Sequence, residues 1–416
     1  MVENTSKPNA YLTNLTCAIN ASANTVLNET TVKEVSFTES LLIPGLQTVL
    51  YIQSKMGNDP TKILDDYYNQ DVSFKVERPI LEQLDYKSEF RTQQKIYRLS
   101  NRSKINYAIE QFELHACDQT LLDDAKTYVS KSWDCKDGAT PDKVVRDILN
   151  GCLGPIGEPN IEEAAFPRDY IAENVHPFQV ISQQASVALT KKGFDPSFLH
   201  FMTYQNDRGY DIPTHNFRSL TLMAEQSPIF RFRYSGKGII DQNYVDPHDV
   251  MDYTFPCDFD LLADILNGID ENGTATTRLN IVSPNTSKIS QYGTKSKDMC
   301  GGTPYTTYAD IDYEKESESC SGGPQISLLK RRARMSLLDQ DKIALRLTVP
   351  FNPNLNVGRV IEFKIVNTGA KDPINDPGNY GSGNYLICSM THRIKMGGLG
   401  VTILDCVADT ARIGQV

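Results

Sequence analysis

The densest group of possible metal ligands in this 416-residue chain is an acidic stretch that begins at residue 246. Its members are five aspartates and one histidine: Asp246, His248, Asp249, Asp252, Asp258 and Asp260. Carboxylate oxygens at this density are ligands that calcium and magnesium can use. The spacing matches no EF-hand loop, however, and Pro256 interrupts the stretch. The sequence therefore favours solvated strand edges, where acidic side chains usually lie, over a metal site.

His392 is the first histidine to consider as a general base. It shares one face of a predicted strand with Leu386, Cys388, Met390 and Ile394, because these residues recur at every second position. An apolar face of this kind points into a core, and a histidine there is held by hydrogen bonds. We therefore predict that His392 is a core residue and not a catalytic one.

Other residues that could do chemistry lack the context that the chemistry needs. The chain contains no Gly-x-Ser-x-Gly, no His-Glu-x-x-His and no P-loop. Gly381–Gly383 precedes a predicted strand and not a helix, so it is interpreted as a turn. Asp65–Asp66 and Asp123–Asp124 are sequence neighbours, whereas a glycosidase needs two carboxyl groups about 5 Å or more apart. We predict no catalytic, cofactor-binding or metal-binding residue.

The nine cysteines are scattered, and no two of them form a Cys-x-x-Cys motif. Four lie in apolar, strand-like surroundings where a free cysteine acts as a small hydrophobic residue: Cys117, Cys257, Cys388 and Cys406. Cys300 and Cys320 flank a glycine-rich loop and are the best candidates for a disulfide. Synthesis in the cytosol, which the sequence suggests, argues against that bond.

The charge balance of the chain is acidic, with a formal net charge of −10. Nucleic-acid-binding surfaces are basic, so general affinity for nucleic acid is not expected. The only basic run comprises Lys330, Arg331, Arg332 and Arg334, which is interpreted as a solvated helix face or a protein contact. No run of about 18 apolar residues occurs, and the first residues lack an apolar stretch. We therefore expect neither a membrane span nor a signal peptide.

Two β-regions flank a helical one in the predicted order of elements. Residues 1–30 are polar and indicate an extended arm, and the alternation of Val72, Phe74 and Val76 with polar residues indicates a strand. A further strand is predicted over Tyr107–Ala116. Residues 118–195 carry helical spacing, with Asp118 and Thr140 as candidate N-caps and with helix starts at Pro141 and Pro177.

The last stretch of the chain is the most regular. Four segments alternate between apolar and polar residues and are separated by Pro, Gly and Asn turns: Ile343–Val349, Ile361–Ile365, Leu386–Ile394 and Val401–Val407. The pattern predicts an antiparallel barrel or half-barrel at this end of the chain.

Three stretches, in their order along the chain, resemble the baseplate hub family of contractile phage tails, the trimeric hub of T-even-type baseplates. The first is the strand and helix of Tyr107–Ser130, followed by the helix after Thr140. The second is the aromatic hairpin Phe201–Leu220, which ends in Asn-Phe-Arg-Ser-Leu. The third, Arg332–His392, contains the turn at Gly358 and a Gly-Asn-Tyr-Leu-Ile strand that leads to the histidine.

This resemblance implies an α+β, β-rich fold with two tail-tube-like antiparallel β-barrel domains joined by helical and mixed segments. Residues 1–117 would be the N-terminal barrel with its polar arm, and 118–245 the helical and mixed middle domain. Residues 246–295 together with 330–416 would form the second barrel. Residues 296–329 would be an inserted polar loop.

The resemblance also implies a structural function and no enzymatic one. Three chains, each with two similar barrels, would form a ring that adapts a sixfold tail tube to a threefold central spike and lets DNA pass. The implied partners are the spike and the tube or tube-initiator protein, with tape-measure and baseplate wedge proteins as further candidates. No specific nucleic-acid contact, membrane contact or cofactor is implied. The chain would assemble in the bacterial cytoplasm and reside in the virion baseplate.

Two alternatives stay open at this point. A cell-wall hydrolase at the tail tip would need a pair of catalytic carboxylates, which a sequence can neither show nor exclude. A distal-tail or tube-initiator protein would share the barrel but would assemble with sixfold symmetry.

Overall fold

The computed structural model describes residues 13–19, 25–27, 32–55, 71–153, 157–192, 195–207, 210–234, 248, 250–256, 278–282, 289–293, 306–310, 335, 338, 344–365, 381–395 and 399–408. Strands dominate this part of the chain, and a few short helices lie in its middle. The predicted α+β, β-rich class is confirmed. Among the described helices, none combines the length and the apolar composition needed to cross a membrane.

The N-terminal region is built from seven strands: β1 (Asn14–Ile19), β2 (Thr25–Leu27), β3 (Val32–Ser40), β4 (Ile43–Lys55), β5 (Asp71–Glu77), β6 (Glu89–Lys104) and β7 (Ile109–Cys117). β5 alternates as predicted, because Val72, Phe74 and Val76 are buried while the residues between them are half-buried. The prediction of an extended arm over residues 1–30 is wrong for β1 and β2. β1 pairs with β5 and buries Cys17, which the polar surroundings of this segment obscured.

The middle region alternates helices and strands: α1 (Gln119–Lys126), β8 (Val129–Trp133), α2 (Pro141–Cys152), β9 (Asn160–Ile161), β10 (Tyr170–Val175), α3 (Pro177–Val187), β11 (Phe198–Asp207), β12 (Tyr210–Ser219) and α4 (Leu220–Ala224). The predicted helix starts at Pro141 and Pro177 are confirmed. The prediction of helices throughout 118–195 is wrong around Val129, which lies outside the helix and pairs with Val175 across β8 and β10.

The remaining strands are β13 (Phe230–Tyr234), β14 (Asp252–Thr254), β15 (Arg278–Val282), β16 (Ile289–Gly293), β17 (Thr306–Asp310), β18 (Leu345–Pro350), β19 (Val360–Ile365), β20 (Gly383–Lys395) and β21 (Leu399–Val407). All four predicted C-terminal strands are confirmed. The predicted loop over 296–329 contains β17, which pairs in parallel with β15. Its Thr-Thr-Tyr run has the β-branched and aromatic character that strands favour, and the polar composition around it hid this signal.

One sheet of 13 strands joins both ends of the chain. The connection is β20, whose first residues pair with β19 and whose last residues, Ser389–Lys395, pair with β3. The opposite edge of β20 pairs with β21 over nearly the same length. The long strand β20 therefore belongs to the hydrogen-bonded frame of both β-regions.

His248 and residues 250–254 contact two edges of the C-terminal part of this sheet. Arg233 in β13 donates its backbone N–H to the carbonyl of His248 at 2.9 Å and accepts from the N–H of Val250 at 3.2 Å. Met251 donates to the carbonyl of Thr348 in β18 at 2.9 Å, and β14 continues this pairing. The segment thus satisfies backbone groups on β13 and on β18 together.

Three hydrophobic clusters lie beneath these elements. The first packs β3–β7 around Phe37, whose ring meets those of Phe74 and Phe90 edge to face at 5.1 and 5.5 Å. The second fills the C-terminal strands and includes Phe201 and Met223 from the middle region. The third lies between α2, α3 and the β11–β12 hairpin. Burial of apolar surface in these clusters is the main stabilising term of the fold.

Candidate functional site

His392, the first histidine considered as a general base, lies in the core. It is 2% exposed, and its Nδ1 shares a hydrogen bond of 2.8 Å with Thr402 Oγ1. The ring of Phe351 packs edge to face against it at 5.0 Å. Burial, with a smaller contribution from Lys87, lowers the pKa of His392 to about 3. The prediction of a hydrogen-bonded core histidine is confirmed.

Only two members of the acidic stretch lie among the described residues. His248 contacts the Tyr86 hydroxyl through Nε2 at 3.0 Å and the Arg231 carbonyl through Nδ1 at 2.7 Å, so both ring nitrogens are engaged. Asp252 is exposed and accepts from the N–H of Tyr253. The four other members lie outside the described residues: Asp246, Asp249, Asp258 and Asp260.

Of the other residues considered in the sequence, some lie among the described residues and some do not. Gly381, with a φ of +79°, forms the bend before β20, which confirms the turn predicted for 381–383. Asp123 accepts from the side chain of Gln119, whereas Asp124 accepts from the N–H of Phe178, so the two carboxylates serve separate contacts. Several other residues considered in the sequence lie outside the residues that the structure describes: Asp65, Asp66, Cys257, the Cys300–Cys320 pair and the basic run Lys330–Arg334.

One group of possible metal ligands that the sequence did not suggest comprises Asp134, Cys135 and Asp169. The two carboxylates already accept backbone N–H groups, Asp134 from Lys136 at 2.8 Å and Asp169 from Cys135 at 2.7 Å. Cys135 is disulfide-bonded, so its sulfur is not available as a thiolate ligand. These contacts order a loop and do not fit a metal site.

Buried polar residues concentrate where the chain regions meet, and the first such junction is centred on Asp118. Its Oδ2 accepts from the N–H of Leu46 in β4 at 2.7 Å, and its Oδ1 accepts from the hydroxyl of Tyr204 in β11. Asp118 is 2% exposed, and burial raises its pKa to about 6. The predicted N-cap role is wrong, because the Asp118 side chain bonds to no N–H of α1. The carboxylate instead ties the N-terminal sheet to the middle hairpin.

A second junction joins the connection between β5 and β6 to the turn after β18. Arg78 is 1% exposed and donates from Nη1 to the carbonyl of Phe351 at 3.1 Å. Nearby, Lys87 donates its N–H to Asn354 Oδ1 at 3.1 Å, and Asn354 Nδ2 returns a bond to the Lys87 carbonyl at 3.0 Å. A buried guanidinium is tolerated only where its donors are satisfied, so this contact fixes how the two β-regions meet.

The outer end of the β6–β7 hairpin carries exposed apolar side chains. Tyr107 is 88% exposed and Ile105 46%. Below the tip, Arg102 and Glu110 form an ion pair at 3.0 Å across the two strands. This apolar hairpin tip is thus held by regular strand pairing and directed into solvent, as interaction surfaces often are.

Comparison with solved structures finds a prophage tail protein and chains of a PdpA-VgrG complex with this fold. Over 96% of this chain and 99% of the other, the fold matches the 43 kDa tail protein of prophage MuSo2 from Shewanella oneidensis, with a TM-score of 0.52 and 11% identity. A chain of the lidded Francisella PdpA-VgrG complex matches over 99% of this chain and 55% of its own length, with a TM-score of 0.52 and 8% identity. A chain of the lidless complex gives 0.51 and 10% identity, over 99% of this chain and 67% of its own length.

At these identities the likeness concerns the fold. The chain spans nearly the whole prophage tail protein but only about half to two thirds of the Francisella chains. No protein-family model matches the sequence, and no curated protein sequence matches it either.

Proposed function

We propose that the chain is the structural hub of a phage tail baseplate, a homotrimeric ring between the sixfold tail tube and the threefold central spike. The observation that carries this proposal is the shared fold with the prophage tail protein over almost the full length of both chains. The residues that could have argued for an enzyme support the proposal as well. His392, His248 and Asp118 are each committed to structural contacts.

The backbone pairing supports two barrel-like units in each chain. In the C-terminal unit, His248, Val250 and Met251 bridge β13 and β18, so the ring of pairing would run through β13, β19, β20, β21 and β18. In the N-terminal unit, the order β3-β4-β7-β6-β5-β1 curls around the Phe37 cluster, with Ile394 of β20 inside it. Three chains would present six such units around one axis, which suits a sixfold tube.

The shared strand β20 and the two polar junctions support the mechanical part of this proposal. A ring that transmits load between tube and spike needs the two barrel-like units of each chain to keep a fixed relative position. Hydrogen bonds through β20 and Arg78 join the two units within one chain, and Asp118 ties the N-terminal unit to the middle hairpin. The acidic net charge suits a channel that DNA crosses without being retained.

Sedimentation equilibrium of the purified protein tests the proposed assembly. We expect a species of three times the 46.6 kDa chain mass, and co-sedimentation with the spike protein of the same tail. A protein that stays monomeric at micromolar concentration, and that binds neither spike nor tube protein, would contradict the hub. A tail-tip hydrolase would instead clear peptidoglycan in a turbidity assay.

The hairpin tip offers a direct test of the subunit interface. We expect the double variant I105S/Y107S to weaken trimer formation by about tenfold or more, because buried aromatic anchors dominate interface energies. The free energy of unfolding should change by about 0.5 kcal/mol or less, since both side chains are exposed. Sedimentation velocity across a dilution series measures the first effect, and urea denaturation measures the second.

Ile171 provides the matched control for this experiment, because it is 65% exposed and lies in β10 of the middle region. The I171S variant should assemble like the parent protein. If I105S/Y107S and the parent dissociate at the same concentration, the hairpin tip is not part of the subunit interface. The existence of the trimer is then tested by the mass from sedimentation equilibrium alone.

A further inference from the structure

A small polar pocket of about 170 Å³ lies between the middle region and the turn before β19. Its polar side chains come from both sides: Asn160, Thr203, Asn216, Arg218, Asn356 and Arg359. The pocket is smaller than the roughly 300–1,000 Å³ of a site for a metabolite or nucleotide. Its size suits a single small group, such as the end of one side chain.

Arg218 places a positive charge at this pocket, and the carboxylate that acts on it electrostatically is that of Glu162. Its guanidinium is half-buried and makes no hydrogen bond or ion pair with any residue that the structure describes. Burial, followed by repulsion from Arg359, lowers the pKa of Arg218. Glu162 offsets this effect only in part, since its carboxylate accepts from the Ser219 N–H at 2.7 Å and from the Ser219 hydroxyl at 3.1 Å.

Arg359 places a second guanidinium at the same pocket. Its Nη1 donates to the Gln226 side-chain oxygen at 2.8 Å, so its contact is neutral. Among the described residues, therefore, the half-buried Arg218 has no hydrogen-bond partner, and the exposed Arg359 has only an amide partner. Two guanidinium groups at one small pocket, with Glu162 as the one carboxylate that acts on Arg218, favour the binding of a further anion.

The wall that carries Arg359 is held firmly. Gly358 adopts a φ of +74°, and a Cβ at this position would lie 2.8 Å from the ring of Phe201. Its N–H donates to the Ile387 carbonyl at 2.9 Å, and its carbonyl accepts from Gln226 Nε2 at 3.1 Å. On the facing wall, Asn216 Nδ2 donates to Thr203 Oγ1 at 2.9 Å. The two guanidinium groups thus project from fixed backbone on both sides, which is the preorganisation that anion binding needs.

We propose that this pocket binds the carboxylate of an aspartate or glutamate side chain from a neighbouring protein chain. Guanidinium groups pair with planar carboxylates through parallel hydrogen bonds, and a half-buried setting strengthens these bonds. Carboxylates are abundant on the copies that a homo-oligomer offers, since each chain has 52 acidic against 42 basic residues. The choice of a neighbouring copy as the source of the carboxylate rests on the proposed homotrimer, whereas the affinity of the pocket for a carboxylate does not.

Thermal unfolding at constant ionic strength tests the proposal, with sodium chloride replaced stepwise by sodium acetate or by sodium phosphate. We expect acetate to raise the melting temperature of the parent protein. In R218M, whose methionine keeps the length of the side chain without its charge, the acetate concentration at half effect should rise about tenfold or more. R218M should melt no lower than the parent in chloride, because a half-buried charge that Glu162 offsets only in part has been removed.

R346Q is the matched control, since Arg346 already pairs with Asp405 at 2.6 Å and lies outside the pocket. Its acetate response should equal that of the parent. An acetate response that R218M and R359Q leave unchanged would overturn the proposal. A phosphate response at least tenfold stronger than that of acetate, and lost in R218M, would overturn the carboxylate assignment in favour of a phosphate site.

Discussion

Replacing Asp118 with alanine is expected to lower the free energy of unfolding by about 3–5 kcal/mol. The substitution leaves two buried groups without their partner, the Leu46 N–H and the Tyr204 hydroxyl, and each such loss costs about 1–3 kcal/mol. Tyr204 belongs to the hydrophobic cluster around Phe37, so the loss also loosens the contact between hairpin and sheet. Urea denaturation followed by circular dichroism at pH 7 measures the effect.

Two variants show whether the hydrogen bonds are responsible. D118N retains an acceptor for Leu46 and a group that can bond Tyr204, and it removes a buried charge, so we expect it to change stability by about 1 kcal/mol or less. D123A alters a neighbouring aspartate that accepts a hydrogen bond from the exposed side chain of Gln119, and it should stay within about 0.5 kcal/mol of the parent. A D118A variant as stable as D123A would show that the Asp118 contacts do not hold the regions together.

Lowering the pH from 7 to 5 is expected to destabilise the protein by about 4 kcal/mol through His392 and His215. Burial lowers the pKa of His392 to about 3 and that of His215 to about 4, against about 6.5 for an exposed histidine. Below about pH 6.5 the two histidines therefore bind protons in the unfolded chain but not in the folded one. Each group contributes a loss of about 1.4 kcal/mol per pH unit until its folded pKa is reached.

Burial is the cause of the low pKa of His215, which lies beside His200 on the β11–β12 hairpin. His215 Nδ1 and His200 Nε2 share a hydrogen bond of 2.9 Å, and the ring of Phe178 packs against both imidazoles. One neutral ring donates and the other accepts, so a proton added at the accepting nitrogen would remove this hydrogen bond. Burial also lowers the pKa of His200, with repulsion from His215 adding to it.

Protonation of Asp118 has the opposite effect on the free energy of unfolding and provides a second test of its pH dependence. Its folded pKa of about 6 exceeds the unfolded value of 3.8, so the folded chain binds a proton more readily as the pH falls from about 6 to about 4. This uptake stabilises the fold by about 1.4 kcal/mol per pH unit and offsets part of the histidine loss.

Without the titration of Asp118, the free energy of unfolding should fall more steeply as the pH is lowered. D118N should lose about 1.4 kcal/mol more than the parent between pH 6 and 5. H392N keeps a partner for Thr402 without a titrating group, and it should lose about 2 kcal/mol less than the parent between pH 7 and 5. Urea denaturation at pH 7, 6 and 5 compares the three proteins. Identical profiles would contradict the assignment of the pH dependence to these residues.

The regular parts of the fold could be predicted from the sequence, because local pattern determines them. The C-terminal strands and the core position of His392 follow from period-two alternation, and the starts at Pro141 and Pro177 follow from their position at the first turn of a helix. β17 shows the limit of this reasoning, since a strand of five residues inside a polar stretch carries a weak local signal.

The junctions could not be predicted, because they depend on residues far apart in the chain. An aspartate before a helix is usually an N-cap, and only the approach of Leu46 and Tyr204 turns Asp118 into a link between regions. The pairing of β3 with β20 joins residues more than 350 positions apart. Nothing in either strand alone specifies this partner, because both alternate as any half-buried strand does.

The proposed hub is tested most directly by averaged electron micrographs of the purified oligomer viewed along its axis. We predict a ring with threefold symmetry in which six β-rich lobes of similar size surround a central channel. Each chain would supply two neighbouring lobes, joined through β20. A ring with six identical subunits would contradict the hub and favour the tube-initiator alternative, and a field of single particles without a ring would contradict both.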